Sequence, residues 1–445
     1  MSSKTVTIIG GGISGISAAL ELSHFDLDIH LIERDHFLGG QAIHYNCKAN
    51  GQCLQCYACL VEQKLKELNR ANNVHVHLAS QVSKFDKNAK DYELELSKDP
   101  LFDSEQEQEI LKTVYREVEN TDGILLRGPS KNNTPFFALD LDKLEQQKQT
   151  ASGSLIANKL QEQLNLNKSR KKEKIQAQAL ILATGFQPFD PNRIGTYHYS
   201  LLDNVVTAND LEKIRKKKGD YLRPSDNNLP QKISFIQCVG SRNESQGNLW
   251  CSRVCCPYAL KMAEAIKSEN PDIDITFFYM DIQNAGRNPA ISLENCTSRF
   301  RFLRMMPVDI LPGSDSSVTI RYMNSDQEKI ESEEFDMTIL SIGIAPNQEN
   351  EQLSRMYNIL LDNYGFLQEY SRLDKSSFAS EGIFSAGTAT GPMNIAESIE
   401  HAGQTVKDLL TYLSKQEKRD YGYQRQYIHN KDTSDRRRMD RHLHS

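Results

Sequence analysis

The sequence predicts an α/β protein with two doubly wound, dinucleotide-binding units. Three observations predict it. The chain opens on a strand–turn–helix–strand unit, "TVTIIGGGISGISAALELSHFDLDIHLIERD". A second unit of the same design follows later: the strand "KISFIQCVGSR", the helix "PYALKMAEAIKSEN" and the strand "PDIDITFFYMDI". Three further apolar runs enter tight turns, "AQALILATGFQPFDP", "FDMTILSIGIAPN" and "EGIFSAGTATGPMN". Alternating strands and helices imply open α/β sheets.

The opening unit carries the clearest chemistry. "TVTII" is a short β-branched run of the buried-strand type. Gly10, Gly12 and Gly15 follow in G-x-G-x-x-G spacing, and "ISGISAALELS" has helical apolar periodicity. The strand "DIHLIE" ends in Glu33, with Arg34 next. The spacing alone is a weak signal; in this context, with an acid closing the second strand, it is strong. The glycines let backbone approach a pyrophosphate, whose charge sits at the helix N-terminus. Glu33 can accept hydrogen bonds from an adenosine ribose. The competing reading is a glycine cluster that only packs the helix.

Composition narrows the function. Its 445 residues suffice for two or three domains. The formal charge of −6 requires no dominant basic surface, which argues against nucleic acid as a partner. No run of about 18 apolar residues occurs, so no membrane span is expected. "MSSKTVTIIGGG" enters a strand directly, without a secretory n-region and h-region, so a cytoplasmic location is expected. No Ser–His–Asp order or H-E-x-x-H supports a hydrolase.

Eight of the nine cysteines fall into two groups of four. One is Cys47, Cys53, Cys56 and Cys59; the other is Cys238, Cys251, Cys255 and Cys256. In a reducing compartment such clusters read as metal ligands or redox groups rather than structural disulfides. Cys296 stands alone and reads as a small buried apolar residue. The second group lies where a glycine-rich nucleotide turn is expected after "KISFIQ"; only Gly240 remains of one. Four thiolates at a helix N-terminus can hold a [4Fe–4S] cluster, its charge eased by the helix dipole, Arg242 and Arg253. A Cys₄ zinc site is the alternative, although adjacent Cys255 and Cys256 depart from the usual C-x₂₋₄-C pairs of structural zinc. The first group, C-x5-C-x2-C-x2-C, is ferredoxin-like and suits a second [4Fe–4S] cluster. A redox dithiol at Cys53 and Cys56, or zinc, are its alternatives.

The chain resembles the thioredoxin-reductase-like flavoproteins, whose two Rossmann-like domains bind dinucleotides. The resemblance rests on Gly10, Gly12, Gly15 and Glu33, on "ATG" at 183–185 and on "GIFSAG" at 382–387. It implies FAD, with Gly10, Gly12, Ser14, Gly15, Glu33, Arg34, Gly40, Gln41, Ala183, Thr184, Gly185, Gly387, Thr388 and Ile395 as binding residues. Thr388 stands where many members have Asp. A closer resemblance, to the A-type subunit of heterodisulfide reductase and its relatives in sulfur oxidation and quinone-linked sulfate respiration, rests on several matches. These are "IQCVGSR…WCSRVCCPYALKMAEAIK…FYMDIQNAGR", "GGQ" at 39–41 and "SAGTATGPMNIAESI". It covers roughly residues 4–85 and 175–410 and implies cluster ligation by Cys238, Cys251, Cys255 and Cys256. It also implies that Lys261 approaches the flavin ring as the catalytic cation; the plain alternative is a solvent-facing helix lysine. Methanogen-type members show fewer cysteines in the first group and carry inserted or appended ferredoxin modules, whereas the insertion at 86–172 contains no cysteine and is expected to hold none.

The expected organisation is a discontinuous FAD domain (1–85, 173–228 and 346–414), a polar insertion at 86–172, a cluster-bearing second domain at 229–345 and a polar, basic tail at 415–445. His44, Tyr45, Tyr57 and His401 are candidates near the flavin, though such residues more often pack. Trp250 either shields the cluster or packs. The expected function is an FAD- and [4Fe–4S]-dependent electron-transfer subunit that works with heterodisulfide-reductase B- and C-like subunits, with a homodimer also expected. The rivals are a stand-alone FAD-dependent disulfide reductase using Cys53 and Cys56, and a zinc-bearing scaffold.

Overall fold

The computed structural model describes residues 3–88, 91–98, 101–102, 125–129, 135–139, 171–283, 296–324, 327–368 and 381–416. The apolar runs of the first unit become one five-stranded sheet. Its order is Ile383–Ser385, Ala179–Leu182, Lys4–Ile9, Leu27–Ile32, Val74–His77. Every pairing is parallel. Val6, Ile8, Ile29, Leu31 and Ile181 are fully buried in it. The helix Ile13–Leu22 and the helical residues 395–416 join the same core through Ile16, Leu22, Ala402 and Leu409. At about 1.5–3 kcal/mol per fully buried Leu or Ile, this layer, not strand propensity, holds such short strands together.

The second sheet repeats the design. Its order is Val205–Thr207, Met337–Ile342, Lys232–Val239, Asp274–Phe278, Arg301–Leu303, again parallel. Phe277 stacks between Phe235 and Phe302, with ring centroids 4.9 Å away on each side. The helices Ala208–Lys218 and Cys255–Glu269 cover this core through Leu211, Ala259, Met262 and Ile266.

Two boundaries fall elsewhere than the sequence predicts. The polar insertion does not begin at 86 or end at 172. Ser80–Lys87, Tyr92–Lys98 and Lys171–Ala177 form one antiparallel sheet. Tyr92, Leu94 and Leu96 alternate inward, so a half-buried strand sits inside a polar stretch. The second domain likewise starts before 229, because Val205–Thr207 pairs with Thr338–Leu340 in its sheet. The strands Leu101–Phe102, Pro135–Leu139 and Leu125–Pro129 form a small antiparallel sheet of their own. The rest of the expected insertion, the "AGR" at 285–287 and the tail from 417 lie outside the described residues.

Candidate functional site

The first turn is a phosphate-type cradle. Gly10 has φ +109°, and a Cβ there would sit 2.3 Å from the Ala183 carbonyl oxygen. A Cβ at Gly15 would sit 1.9 Å from the Gly10 oxygen, so this glycine is needed for the helix to pack on its own turn. Gly12 caps the helix Ile13–Leu22 in extended conformation, leaving the first-turn N–H groups to face a ligand. Glu33 is buried; its Oε2 accepts from the Gly11 N–H at 2.6 Å and its Oε1 from the Asp35 N–H at 2.8 Å. Burial first, then the Asp35 charge, pushes its carboxyl up to about 7. Arg34 pairs with Glu349 at 2.6 Å, both exposed.

The C-terminal turn closes on this cradle. A Cβ at Gly387 would meet Ser14 Oγ at 1.8 Å, and the Gly387 N–H donates to His401 Nδ1 at 2.8 Å. His401 thus supports the turn from the helix behind it.

A cavity of about 750 Å³ opens between the cradle and the second domain. Gly10, Gly12, Ser14, Glu33, Arg34, Gly40, Gln41, Ala183, Thr184, Gly185, Thr388 and Ile395 line it. Gly15 and Gly387 lie behind its wall as packing positions. Cys255, Tyr258 and Lys261 reach it from the second domain, and His44, Tyr45, Cys56 and Tyr57 from the first cysteine loop. A dinucleotide fits this geometry: glycine backbone at a helix N-terminus, an acid closing the second strand, and a cavity within the usual ligand-pocket range of about 300–1,000 Å³.

The second cysteine group sits on strained backbone. Cys238, Arg242 and Arg253 adopt φ of 59°, 52° and 59°, the left-handed region that costs a non-glycine residue about 1 kcal/mol or more. Cys238, Cys255 and Cys256 are buried and Cys251 is half-buried. Cys255 and Cys256 open the helix Cys255–Glu269. Burial, then the neighbouring Cys256 thiol, pushes Cys238 up to about 12. Cys255 is raised chiefly by its hydrogen bond with Cys256, and Cys238 and Cys251 add to the effect. Cys238 is thus perturbed by Cys256 and Cys251, and Cys255 by the other three thiols. Arg242 lies beside Cys238 and pairs with Asp281 at 2.5 Å. Arg253 acts differently from the expectation. Its backbone N–H donates to Cys251 Sγ at 3.3 Å, but its guanidinium goes to Glu397 at 3.1 Å and the Pro392 carbonyl. Trp250 packs: Nε1 donates to the Ile344 carbonyl at 2.9 Å, and the ring lies on Tyr364 and Phe366.

Among the described residues, no three His, Cys, Asp or Glu side chains close to single-ion spacing. A tetrahedral zinc ion needs its sulfurs within about 4 Å of one another, given Zn–S bonds near 2.3 Å. A four-iron cluster takes one thiolate per iron and spaces them more widely. Three buried thiols and one half-buried thiol at and before a helix N-terminus are the donor type that such a cluster takes. The Phe189 ring packs against Gly240, in the space that a Cβ there would take.

The first group is more open. Cys47, Cys53 and Cys59 are exposed and Cys56 is half-buried. The Lys48 N–H donates to Cys56 Sγ at 3.5 Å and the Gln55 N–H to Cys53 Sγ at 3.4 Å. Lys261 is buried enough to lower its pKa, and it feels Cys56 and Cys53. Lys48 and Glu212 form a buried ion pair beside this loop that sequence reasoning misses. The only signal is register: Glu212 follows the buried Leu211 on the inner face of its helix.

Comparison with known proteins agrees with this geometry. Residues 4–223 match the pyridine nucleotide-disulphide oxidoreductase family. T. acidophilum thioredoxin reductase superposes with a TM-score of 0.52 at 13% identity, over 93% of this chain and 99% of that one. The Lactococcus lactis thioredoxin reductase gives 0.51 at 13% identity, over 93% of this chain and 100% of that one. The fold is the thioredoxin-reductase-like pair of dinucleotide-binding domains, and the family match falls on the first of its two nucleotide-type units. Within that class the chain is similar to the A-type subunits of heterodisulfide reductases. That of the H(2):CoB-CoM heterodisulfide,ferredoxin reductase of Methanothermobacter thermautotrophicus is 26% identical over 415 residues, 89% of this chain. The iron-sulfur A-type subunit of the CoB–CoM heterodisulfide reductase of Methanocaldococcus jannaschii is 27% identical over 422 residues, 90% of this chain. The chain spans only 62% and 63% of the length of these two relatives.

Proposed function

We propose that the chain is an FAD- and [4Fe–4S]-dependent electron-transfer subunit of a heterodisulfide-reductase-like complex. The observation that carries this reading is one cavity shared by the glycine cradle and by Cys255 and Lys261 of the cysteine-bearing helix. FAD supplies the exchange between electron pairs and single electrons when bound. The residues of the chain hold it. Gly10 and Gly12 admit the pyrophosphate, Ser14 stands in the first helical turn, and Glu33 faces the ribose. Thr184, Gly185, Thr388 and Ile395 flank the remainder, and Lys261 presents a cation to the ring.

One cluster is assigned to Cys238, Cys251, Cys255 and Cys256, and a second to Cys47, Cys53, Cys56 and Cys59. The exposed sulfurs of the second set suit an electron exit toward partners. Because the relatives are A-type subunits of a larger reductase, those partners are proposed to be B- and C-like subunits. A homodimer is part of the same proposal, as is a cytoplasmic setting. Among the described residues no helix is long and apolar enough to cross a membrane. A second reading, a disulfide reductase using Cys53 and Cys56, is favoured by the place of Cys56 in the cavity wall.

Anaerobic reduction separates the two. Electron transfer to the clusters predicts fast bleaching by reduced methyl viologen and none by NADH or NADPH, because only Gly240 remains of a glycine-rich turn in the second unit. Rapid NADPH reduction with two new titratable thiols would favour the disulfide reductase instead.

A further inference from the structure

We propose that Glu212 is a positioning residue that clamps the first cysteine loop to the cysteine-bearing helix of the second domain. Glu212 lies on the helix Ala208–Lys218 and is fully buried. Its Oε2 accepts from the Asn46 backbone N–H at 3.0 Å and from Asn46 Nδ2 at 2.6 Å. Its Oε1 accepts from the Tyr258 hydroxyl at 2.8 Å and pairs with Lys48 Nζ. Asn46 and Lys48 flank Cys47, and Tyr258 stands two residues after Cys256. One carboxylate therefore binds the entry of one cysteine group and the first turn of the helix that begins with the other.

Two further contacts point the same way. Leu54, next to Cys53, is buried in the second-domain core with Ala208, Leu211 and Leu260. Lys48 is buried too; its ammonium also donates to the Asn46 carbonyl at 2.9 Å and lies 5.6 Å from the Tyr258 ring centroid. A buried charge persists only when paired and hydrogen-bonded. Here Asn46, Lys48 and Tyr258, the partners of the carboxylate, all belong to the loop or the helix, so its free energy goes into holding those two segments together. That this fixes the spacing of two redox groups rests on the proposed function; the clamp itself does not.

The test is hydrogen exchange, read by mass spectrometry, on the anaerobically purified full chain and on Glu212→Gln, Lys48→Met and the double variant. The clamp predicts at least about tenfold faster exchange across residues 46–56 in each single variant, with the Lys4–Ile9 strand unchanged. The double variant should exchange more slowly than either single one, because it leaves no unpaired buried charge. Unchanged loop exchange, or an equal rise throughout the second domain, would overturn the clamp. If Glu212→Gln does not fold, Lys48→Met decides alone by the same criteria. In folded variants, reduction at the loop group should slow about tenfold or more while flavin reduction keeps its rate. Absence of a loop cluster would sink that part of the proposed function and leave the exchange result standing.

Discussion

Lys261 Nζ donates to the Gln55 carbonyl 2.8 Å away, so a side chain of the second domain's helix grips the first cysteine loop. The same ammonium lies 5.9 Å from the Tyr57 ring centroid and lines the cavity. In the proposed function, a cation at that wall favours the reduced, anionic flavin. Lys261→Met should therefore lower the two-electron midpoint potential by about 30 mV or more, and Lys261→Arg by much less. Spectroelectrochemical titration reads this directly. An unchanged potential in Lys261→Met would reduce the residue to a loop anchor.

The turn at Gly387 makes a second prediction. Its N–H depends on His401 as acceptor, and its position tolerates no Cβ because Ser14 Oγ is in the way. His401→Leu leaves a part-buried donor unmade, a cost of about 1–3 kcal/mol. Flavin retained after gel filtration should fall in His401→Leu and nearly vanish in Gly387→Ala. Full retention in Gly387→Ala would place the flavin away from this turn.

The two cysteine groups should separate chemically. Cys238→Ser should cost about four iron atoms per chain, and Cys56→Ser should cost a different set of about four. Cys296→Ser should cost none: this thiol is buried beside Glu264, far in sequence from either group. Iron assay with EPR of the reduced variants distinguishes these outcomes.

A histidine cluster outside the cavity sets a pH dependence. His77 shares a 2.8 Å hydrogen bond with His30 and lies near Lys98, Glu173 and His75. Burial, then Lys98, lowers its pKa to about 4. The unfolded chain then binds a proton that the folded chain refuses, so stability is lost as pH falls from the ordinary imidazole value of about 6.5 toward 4. Thermal melts across that range should decline less steeply in His77→Gln. Equal slopes would assign the acid lability elsewhere.

The sequence exposed what local pattern can carry. Strand Lys4–Ile9 and the glycine spacing that follows it are written in consecutive residues, as are the Cys255–Cys256 pair and its helix. Long-range pairing was hidden. Val205–Thr207 is too short to announce itself, and its partner lies beyond residue 330. Lys48 and Glu212 are 164 residues apart, each an ordinary charge in its own stretch. Arg253 sits two residues from Cys251 in sequence, yet its guanidinium goes to Glu397, a partner 144 residues away that local pattern does not announce. The strand Tyr92–Lys98 does alternate apolar and polar residues, but its polar surroundings concealed it.

The most direct measurement is flavin, iron, acid-labile sulfide and zinc per chain in anaerobically purified protein. One FAD with about eight iron and eight sulfide is the predicted result, as two four-iron clusters require. Zinc in place of iron, or a colourless protein without flavin, would contradict the electron-transfer function.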